Sequence, residues 1–598
     1  MLPLKKTHEC AALTEGHIGE EVILTGWVQK RRDHGGVIFI DFRDRSGIVQ
    51  VTANPEICSA ETFATAEHIR SEFVLGVRGT VKKRPEGMEN ENLSTGTIDV
   101  VASDIVIYNR SKTPPFYLTD DVDVDENKRL KYRYLDLRRP EMRDNLRLRH
   151  ETMTAMRRSL DAQGFWEVDT PILMKSTPEG ARDFLVPSRV NAGKFYALPQ
   201  SPQQYKQLLM VAGVEKYYQV ARCFRDEDLR ADRQPEFTQL DLEMSFVDEE
   251  EVIATTETII KDVFKATLNQ EIPTPFPQMT WQEAMDRFGS DKPDTRFGYE
   301  LVDLSDLAKD CGFKVFSGAV ASGGVVKAIN AKGCADLSRR TLDDLAKFVS
   351  IYGAKGLAYI VVEDGKLKSP ITKFLDDALV QSILTRMDAE VGDIIFFGAD
   401  SFKVVSDSLG HLRLKLGEMR GLIDENAFNF LWVREFPLLE YDDEEGRYTA
   451  VHHPFTAPIA EDLDTFADAP GRIRSRAYDV VLNGIELGGG SIRIHDRALQ
   501  ERVFDLLGLA PEVYEDQFNT LLEAFEYGAP PHGGLAIGLD RMLMLLCGRK
   551  TIRDVIPFPK TQSAVDLMVD APSPVARQQL RDLHLKLDVK EEPSGDQA

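Results

Sequence analysis

Alternating apolar and polar residues predict a β-hairpin over residues 217–246. A first strand runs into Phe224 and Arg225, a highly charged connection follows, and a second strand runs from Phe237 to Phe246. The apolar face of the second strand holds Leu240, Leu242, Met244 and Phe246, and its polar face holds Gln239, Asp241, Glu243 and Ser245. The pattern predicts a sheet that packs on one side and presents acids to a ligand on the other. Ordinary half-exposed sheets alternate in the same way and are the alternative.

Five short segments between residues 21 and 108 predict a small β-barrel of the OB type. The segments alternate in hydrophobicity and are separated by glycine-containing turns. Phe39 lies with Asp41 on the polar face of the second segment, and Gln50 lies on the polar face of the third. Such barrels stack and read single-stranded bases with an outward aromatic ring beside hydrogen-bonding groups, so Phe39 and Gln50 are candidate contacts to nucleic acid. The alternative for Phe39 is an isolated surface phenylalanine.

Changes in pattern divide the remainder of the chain. A proline-containing linker leads to a helical pattern over residues 140–163, and Pro171 ends the strand that follows. Residues 299–422 have a mixed α/β pattern of their own and lie between motif-bearing segments, so we interpret them as an inserted domain. The predicted divisions are 1–108 for the barrel, 109–140 for a linker, 141–298 and 423–588 for two parts of the main domain, 299–422 for the insertion and 589–598 for a disordered tail.

Composition restricts the class of protein. The 598 residues are 42% hydrophobic and 28% charged, which is typical of a globular protein, and this length favours about four domains. The six cysteines are scattered without a CxxC pair or a Cys/His cluster, so neither a disulfide framework nor a structural zinc site is expected. The first residues, MLPLKKTHEC, lack the apolar core expected of a signal peptide, and no apolar run approaches the ~18 residues expected of a membrane span. We therefore expect a cytoplasmic protein without membrane contact.

The net charge of −24 argues against indiscriminate binding of nucleic acid and against DNA as a partner, because the overall field repels phosphate. Three local basic clusters are nevertheless present, at residues 30–32, 82–84 and 128–133, the last of which continues to 138–139. Each of these clusters could instead be a solvated surface. The charge therefore leaves room only for local contacts to nucleic acid.

Three separated motifs resemble the signature motifs of the class II aminoacyl-tRNA synthetases. Motif 1 corresponds to residues 164–171, motif 2 to residues 224–227 with the returning strand, and motif 3 to residues 538–541 at the start of an apolar helix. Each is weak alone, but all three occur in the expected order. The segments QSPQQYKQLLM, HHPFTAP and ELGGGSIRIH closely resemble those of the bacterial aspartyl-tRNA synthetases. The resemblance to this family extends over nearly the whole chain. The insertion resembles a domain shared with tRNA-dependent amidotransferases.

The resemblance implies an α+β multidomain fold with an N-terminal OB-fold barrel that binds the anticodon, an antiparallel-sheet catalytic domain and an inserted α/β domain. It also implies a cytoplasmic homodimer whose interface includes motif 1. In the implied reaction, aspartate attacks the α-phosphate of ATP to form aspartyl-adenylate, and the terminal ribose hydroxyl of tRNA then takes the aspartyl group. Because charge develops on the α-phosphate, such a site needs positioned cations and Mg²⁺.

By the same resemblance, ATP binds on the hairpin and on motif 3. Arg225 contacts the α-phosphate, Phe237 stacks on adenine, and Arg541 covers the other face of the base and reaches the triphosphate end. The further ATP contacts implied are Asp226, Glu227, Gln234, Glu486, Gly538, Leu539 and Asp540. The oxygen ligands implied for Mg²⁺ are Asp479 and Glu486, with Glu243 as an accessory ligand. The glycines at 488–490 and 533–534 allow close backbone approach to a ligand.

Aspartate needs recognition at two ends. Its side-chain carboxylate suits an arginine and an ammonium group, and Arg493 and Lys206 match the family positions. Its α-ammonium suits acceptors, which Glu179 and Gln203 can provide. Neutral asparagine would leave these charged groups unpaired, so selectivity for aspartate should be high.

The residues implied to act in catalysis are Arg225, Asp241 and Arg541. Arg225 also belongs to the aspartate-binding set, and Asp241 tunes the region around Lys206. His452 would complete the aspartate pocket and sense whether substrate is bound. The alternative for His452 and His453 is a pair of structural histidines whose hydrogen bonds are satisfied within the protein.

The implied RNA partner is tRNA(Asp), and some bacterial members of the family also charge tRNA(Asn). In this family the barrel reads the anticodon, and Phe39 and Gln50 fall on the matching face. The relaxed members resemble this chain in a histidine at His34 and a small residue at Gly87, so we expect both tRNAs to be charged. The alternatives are a strictly discriminating enzyme, a related enzyme for asparagine or lysine, and a catalytically silent tRNA-binding relative. The complete set of charged site residues argues against the silent relative.

Overall fold

The computed structural model describes residues 5–121, 123–177, 181–466 and 468–589. Contacts divide the chain into two compact units, residues 1–147 with 566–570 and residues 148–565 with 571–598. The domain boundaries predicted from the sequence stay predictions, and residues 590–598 of the predicted tail lie outside the described residues. Within the described ranges, no helix is long and apolar enough to cross a membrane.

A closed five-stranded barrel forms in the first unit because apolar residues point inward at alternate positions of each strand. Its strands are β1 (Glu21–His34), β2 (Val37–Arg43), β3 (Ile48–Ala53), β4 (Val74–Lys83) and β5 (Ile98–Asn109). Neighbours follow the order β1-β2-β3-β5-β4; β3 and β5 pair in parallel and the other described pairs are antiparallel. Helix α1 (Ala60–Glu67) begins at Ser59, whose hydroxyl accepts the Thr62 backbone N–H. The predicted five-stranded barrel is confirmed.

Ion pairs attach the following connection to the barrel. The connection contains α2 (Glu126–Lys131), α3 (Arg133–Asp136) and the start of α4 (Pro140–Ala162). Asp136 is fully buried and accepts from Arg133 at 2.7 Å. Glu72 of the barrel accepts from Arg138 at 2.8 Å and from both terminal nitrogens of Arg43 at 2.8 and 2.7 Å. These charge-assisted bonds make the connection part of the first unit.

The second unit contains a large sheet, an inserted domain and surrounding helices. Before the insertion the elements are β6 (Trp166–Glu167), β7 (Leu185–Pro187), β8 (Phe195–Ala197), α5 (Gln203–Val211), β9 (Lys216–Phe224), β10 (Glu236–Ser245), α6 (Glu249–Leu268), β11 (Gln278–Thr280) and α7 (Trp281–Phe288). The insertion contains β12 (Leu301–Asp303), α8 (Ser305–Ala308), α9 (Lys314–Ala321), β13 (Val325–Ala331), α10 (Arg339–Ser350), β14 (Ala358–Glu363), β15 (Lys366–Lys368), α11 (Asp377–Arg386), β16 (Ile394–Asp400) and α12 (Phe402–Met419). The elements that follow are β17 (Phe430–Arg434), β18 (Leu439–Asp442), β19 (Arg447–Ala450), α13 (Ala460–Thr465), β20 (Ala477–Leu482), β21 (Ile485–Ile492), α14 (Arg497–Leu506), α15 (Pro511–Phe525), β22 (His532–Gly538), α16 (Leu539–Leu546) and α17 (Arg577–Asp582).

The large sheet has eight strands in the order β11-β17-β20-β21-β22-β10-β9-β6. Neighbouring strands are antiparallel except at the two edges, where β11 pairs with β17 and β6 with β9 in parallel. Apolar side chains of the central strands pack in one core with α6, α15 and α16. The opposite face is therefore left to form a site.

The predicted hairpin is confirmed as β9 and β10, with Phe237 opposite Cys223. One expected side chain does not follow the pattern. Phe246, which the alternation places on the apolar face, lies beyond the strand with a φ of 60° and is 66% exposed. The prediction for Phe246 is wrong because the chain leaves the sheet after Ser245, so the period of two no longer applies.

The helix predicted over residues 140–163 is confirmed as α4, but the strand after it is shorter than predicted. Only Trp166 and Glu167 pair with β9. The Val168 backbone N–H still donates to the Tyr218 carbonyl oxygen at 3.1 Å, after which the chain departs from the sheet. The rest of motif 1 is therefore irregular.

Helices and strands alternate between Leu301 and Met419, as the mixed α/β pattern predicts, and the bounds 299–422 stay a prediction. The insertion is an antiparallel sheet in the order β12-β13-β16-β14-β15 with helices packed against it. Helix α12 also packs against α7, where the guanidinium of Arg413 lies 5.0 Å from the ring of Phe288 and 4.1 Å from that of Phe297. At Gly417 a Cβ would lie 2.7 Å from the Phe297 ring, so a glycine is needed for this close contact.

Candidate active site

A cavity of about 430 Å³ lies on the polar face of the large sheet. Strands β10, β20, β21 and β22 line it, together with α5 and the first turn of α16. Residues far apart in sequence meet here because the sheet places their strands side by side. The predicted site residues in the lining are Gln203, Lys206, Arg225, Glu227, Gln234, Phe237, Asp241, His452, Asp479, Glu486, Arg493, Gly538, Asp540 and Arg541.

Four predicted residues of this site are not in that lining. Glu179 lies outside the described residues. Asp226 pairs with Arg182: its backbone N–H donates to the Arg182 carbonyl oxygen at 3.0 Å, and its carboxylate lies 3.6 Å from Arg182 Nε. Leu539 and Glu243 are fully buried. The structure therefore brings most of the predicted site together and places Asp226, Leu539 and Glu243 next to it.

Two buried cations and two buried carboxylates form the inner end of the cavity. Lys206 Nζ donates to Asp241 Oδ1 at 2.7 Å and lies 3.3 Å from Glu243 Oε2. Arg493 donates through Nε and Nη2 to the two oxygens of Glu243 at 2.9 and 3.1 Å. No more than 2% of any of these side chains is exposed. The cluster is electrically balanced, as buried charges require.

Most N–H groups of Arg493 donate to other groups of the protein. Besides its two bonds to Glu243, Nη1 donates to Ser491 Oγ at 2.6 Å and to His453 Nε2 at 2.7 Å. A guanidinium has five N–H groups, so one on Nη2 remains for a ligand. Glu243 thus occupies the Nε–Nη2 edge of Arg493, with which an arginine binds a carboxylate through two hydrogen bonds. A carboxylate in the cavity would meet Lys206 and a single N–H of Arg493.

The two carboxylates of the cluster respond differently to burial. Burial raises the pKa of Asp241, and Lys206 offsets this only in part. Burial would also raise the pKa of Glu243, but Arg493 and Lys206 outweigh it and hold that pKa below its usual value. Within the described part of the chain, Asp241 Oδ2 has no hydrogen-bond partner. Asp241 can therefore accept a hydrogen bond from a ligand, whereas both oxygens of Glu243 are occupied.

Arg225 follows β9 and is stacked on the hairpin. Its guanidinium carbon lies 5.1 Å from the ring centroid of Phe237, and its Nε is buried without a partner among the described residues. A guanidinium stacked on an aromatic face keeps its N–H edges available, so Arg225 can donate to an anion. Stacking of adenine on Phe237 would have to use the ring face that Arg225 leaves uncovered.

Gln234 and Asp540 are held by the protein itself. The Gln234 amide exchanges two hydrogen bonds with the backbone of Lys560, at 3.0 and 2.7 Å. Asp540 accepts from Arg149 Nη1 at 2.5 Å and from the Thr238 backbone N–H at 2.9 Å. These bonds fix the hairpin connection and the start of α16, and the ATP contacts implied for both residues stay predictions.

The charged side chains in the outer part of the cavity are more exposed than those at its inner end. Arg541 Nη1 donates to the Glu486 carbonyl oxygen at 3.2 Å, and Nη2 lies 3.4 Å from Asp232. Glu227 accepts from Arg233 at 3.3 Å. These pairs are partly solvated and can exchange partners at small cost when an anionic ligand enters.

Asp479 and Glu486 lie on neighbouring strands and line the cavity with Asp291. Burial, with the nearby carboxylates of Glu486 and Asp291, raises the pKa of Asp479 to about 6 against the opposing effect of His452. Carboxylates that repel one another are stabilised by a hard divalent cation, and Mg²⁺ takes such oxygen ligands. Asp479 and Glu486 therefore fit Mg²⁺, whereas Glu243 faces Arg493 and Lys206 instead.

The two adjacent histidines have different surroundings. His452 Nε2 lies 3.1 Å from Asp479 Oδ1, and its buried Nδ1 has no partner among the described residues. Burial would lower the pKa of His452, but Asp479 outweighs it and raises that pKa. Burial, with Arg493 and Lys206, holds the pKa of His453 well below its usual value. His453 is thus a neutral support for Arg493, whereas His452 can still bind a ligand through Nδ1.

Glycines of β21 and β22 make room for the protein's own carboxylates. A Cβ at Gly534 would lie 2.7 Å from Glu243 Cδ, and one at Gly489 would lie 2.5 Å from Asp479 Oδ1. From the sequence, these glycines are predicted to let a ligand approach the backbone closely. The structure shows that they also allow two buried acids to pack beside the strands.

The predicted anticodon residues lie on the barrel. Gln50 Oε1 accepts from Arg32 Nη2 at 3.0 Å, and half-buried Phe39 stands opposite Arg32 in the β1–β2 pairing. An aromatic ring, an amide and a cation therefore share one face, which suits stacking of single-stranded bases. His34 is exposed at the end of β1, and Gly87 has a φ of 80° with open space around a Cβ position.

Metal-ligating side chains also meet in the first unit, where the ligand atoms of His8, His17 and Glu20 lie within 4.8 Å of one another. His17 Nδ1 accepts the Thr14 backbone N–H at 3.1 Å, so this nitrogen is already bonded within the protein. We assign no metal site there.

Sequence reasoning missed several residues that shape the cavity: Asp232, Asp291, Phe436, Ser491 and the supporting role of His453. Asp291 belongs to the stretch GSDKPDTR, whose composition predicts only a loop. Ser491 directly follows three glycines in a quoted motif, and this position is the one signal that could have indicated it.

The barrel, the antiparallel sheet and the charged cavity together define a class of protein. The chain belongs to the class II tRNA synthetases: the family model described as "tRNA synthetases class II (D, K and N)" matches residues 125–562. The model for the OB-fold nucleic acid binding domain matches residues 22–108. The predicted fold class and the family resemblance are both confirmed.

Relatives that carry the name aspartate–tRNA(Asp/Asn) ligase match almost the whole chain. That of Syntrophomonas wolfei subsp. wolfei is 58% identical over 584 residues, which cover 98% of this chain and 100% of the relative. That of Heliobacterium modesticaldum is 58% identical over 586 residues, with coverages of 98% and 97%. That of Geobacillus sp. is 59% identical over 581 residues, with coverages of 97% and 98%.

Solved structures show the same fold at low identity. The asparaginyl-tRNA synthetase from Pyrococcus horikoshii complexed with asparaginyl-adenylate has a TM-score of 0.60 at 20% identity, covering 93% of this chain and 98% of that one. The aspartyl tRNA synthetase from Entamoeba histolytica has a TM-score of 0.56 at 20% identity, with coverages of 93% and 91%.

Proposed function

We propose that this chain is an aspartate–tRNA ligase that uses ATP and charges both tRNA(Asp) and tRNA(Asn). The observation that carries the proposal is the buried pair Lys206 and Arg493 at the inner end of the cavity that Arg225 and Arg541 also line. A substrate carboxylate matches these two cations, whereas a neutral amide or a cationic side chain would not. Relatives of this name, 58% identical over nearly the whole chain, support the same activity.

Aspartate would bind with its side chain toward Lys206 and the remaining N–H of Arg493. Because these cations are already balanced by Asp241 and Glu243, another carboxylate needs a nearby positive charge, and the α-ammonium of the same molecule supplies it. The unpartnered oxygen of Asp241 and the amide of Gln203, both in the cavity, are acceptors for that ammonium group. The site is therefore suited to a zwitterion with an acidic side chain.

In the activation step, an α-carboxylate oxygen of aspartate forms a bond to the α-phosphorus of ATP, and the bond to pyrophosphate breaks. Negative charge grows on the α-phosphate oxygens, toward which Arg225, held on Phe237, would present a donor edge. Arg541 would hold the phosphates beyond it. Mg²⁺ held by Asp479 and Glu486 would neutralise phosphate charge. The protein contributes positioning and charge, and no side chain needs to become covalently bound.

Transfer requires the tRNA end in the cavity and the anticodon on the barrel. The terminal ribose hydroxyl attacks the carbonyl carbon of the adenylate, and AMP leaves. Phe39, Gln50 and Arg32 share the barrel face on which we propose that anticodon bases stack. The open space at Gly87 and the exposed ring of His34 support tolerance of both anticodons, which the names of the relatives also indicate.

The working enzyme would be a cytoplasmic homodimer. Its support is the exposure of large apolar side chains in and after motif 1, where Trp166 is 65%, Ile172 51% and Leu173 50% exposed. A partner surface would cover such a patch. Light scattering coupled to size-exclusion chromatography tests this point, and a mass equal to a single chain would contradict it.

ATP–pyrophosphate exchange tests the proposed function directly. With Mg²⁺ present, exchange should depend on L-aspartate and should be absent with L-asparagine or L-lysine. Removal of Mg²⁺ by a chelator should stop the exchange. A purified, folded protein that shows no aspartate-dependent exchange would contradict the proposal.

A further inference from the structure

A chain of hydrogen bonds leads from the amino-acid end of the cavity into the protein core. Gln203 Nε2 donates to Gln207 Oε1 at 3.1 Å, and Gln207 Nε2 lies 3.1 Å from His532 Nε2. His532 Nδ1 in turn lies 2.8 Å from the carbonyl oxygen of Pro530. The two glutamines are one turn apart on α5 and so share a face, and His532 is the first residue of β22.

The far end of this chain determines the direction of every bond in it. A carbonyl oxygen only accepts, so His532 Nδ1 carries a hydrogen and donates to Pro530. Burial lowers the pKa of His532, which is fully buried, and the neutral ring therefore offers Nε2 as an acceptor. Gln207 must present its NH₂ group to that nitrogen and its oxygen to Gln203. Gln203 must then present its own NH₂ group to Gln207.

These hydrogen bonds fix the orientation of the Gln203 side-chain amide, which determines the atom that a ligand meets. With Nε2 held by Gln207, Oε1 is the atom that Gln203 can present to the cavity it lines. Gln207 and His532 are fully buried and Gln203 is 5% exposed, so water does not replace a lost partner. A half-turn of either amide would set two donors or two acceptors against each other in a buried site, which is unfavourable.

We propose that Gln207 and His532 are positioning residues for recognition of the amino acid. They hold the Gln203 carboxamide with its oxygen toward the α-ammonium group of the substrate. This inference rests on the proposed function, because that function makes an amino acid the ligand of Gln203. Neither Gln207 nor His532 belongs to the cavity lining, so both act through Gln203.

A double-mutant cycle between Gln203→Met and Gln207→Met tests the proposal in ATP–pyrophosphate exchange. Each single change should raise the KM for L-aspartate by roughly tenfold, the equivalent of one net hydrogen bond, and leave the KM for ATP within about twofold. Because Gln207 acts through Gln203, the double variant should be no weaker than Gln203→Met alone. Gln204→Met is the matched control: Gln204 lies on the same helix outside the cavity lining, and its replacement should not change the KM for L-aspartate.

Additive effects in the double variant would overturn the proposal, since they would show that Gln207 acts independently of Gln203. An equal rise in the KM for ATP would also overturn it, because a general disturbance of the fold would then explain both. If Gln207→Met does not fold, Gln207→Glu keeps an oxygen acceptor for Gln203, and its carboxyl group, which burial keeps protonated, can donate to His532 Nε2. The KM for L-aspartate of that variant should stay within about threefold of the wild-type value, and a loss of about tenfold would count against the proposal.

The cycle separates this proposal from the proposed function. If the unchanged protein catalyses no aspartate-dependent exchange, the function itself is wrong. If the unchanged protein is active and the two substitutions are additive, only the positioning role is wrong.

Discussion

The buried pair between Arg493 and Glu243 can be broken by the single substitution Arg493→Leu. The change removes two hydrogen bonds to Glu243, one to Ser491 and one to His453. Glu243, fully buried, would keep Lys206 at 3.3 Å as its cation. Removing one partner of a buried ion pair costs about 3–5 kcal/mol, so we expect the free energy of unfolding to fall by that amount.

Activation of aspartate should fall as well, for a separate reason. The substrate carboxylate would lose a charge-assisted hydrogen bond worth about 1.5–3 kcal/mol, which corresponds to a decrease of roughly 10- to 160-fold in kcat/KM for aspartate. The KM for ATP should change little, because Arg225 and Arg541 remain. ATP–pyrophosphate exchange at varied aspartate and varied ATP measures both effects, and thermal unfolding measures the stability.

A second substitution separates stability from function. In Arg493→Leu/Glu243→Leu no buried charge of the pair is left alone, and apolar replacement of a buried pair is often neutral. The double variant should therefore regain stability without regaining aspartate activation. Arg497→Leu is the matched control: Arg497 forms partly exposed pairs with Glu501 and Glu526, whose loss should cost less than about 1 kcal/mol. Aspartate kinetics of Arg493→Leu within about threefold of the wild-type values would refute the reasoning.

Three further outcomes are expected. Gly534→Ala should lower the free energy of unfolding by about 1–3 kcal/mol and weaken aspartate binding, because its Cβ would lie 2.7 Å from Glu243 Cδ. Gly318→Ala, with open space at its Cβ, is the control. Equal Tm values of the two variants would count against this packing. Burial lowers the pKa of His532, so the stability that its neutral form contributes is present above about pH 6.5 and is lost as the pH falls. The Tm of His532→Gln should therefore drop less between about pH 7.5 and 5.5 than the Tm of the wild type. An equal drop in Tm would contradict this expectation. Asp479→Asn should raise the Mg²⁺ concentration for half-maximal exchange at least about tenfold, and an unchanged requirement would remove Asp479 from the metal ligands.

Local pattern was enough to predict the hairpin and the polar face of its second strand. A period of two assigns Asp241 and Glu243 to one face whatever those side chains contact. The same rule failed at Phe246, one residue beyond the strand, because it contains no information about where a strand ends. Five alternating segments similarly predicted the barrel, since each strand buries alternate residues in the same core.

The partners of the site residues could not be predicted in this way. Glu243 and Arg493 are 250 residues apart in sequence, and Asp540 and Arg149 are 391 residues apart. Which strands become neighbours depends on the order of the sheet, which alternation does not specify. The family resemblance therefore implied that Asp540 and Glu243 belong to the site, but it could not show that their oxygens are already bonded to protein groups.

Charging of two tRNAs by one preparation of the enzyme tests the central claim most directly. Transcripts of tRNA(Asp) and tRNA(Asn) would be aminoacylated with L-aspartate under the same conditions, and kcat/KM would be compared. We expect both to be charged, with values within about tenfold of each other, a difference of about 1.4 kcal/mol or less. A preference for tRNA(Asp) of more than about a hundredfold would contradict the account.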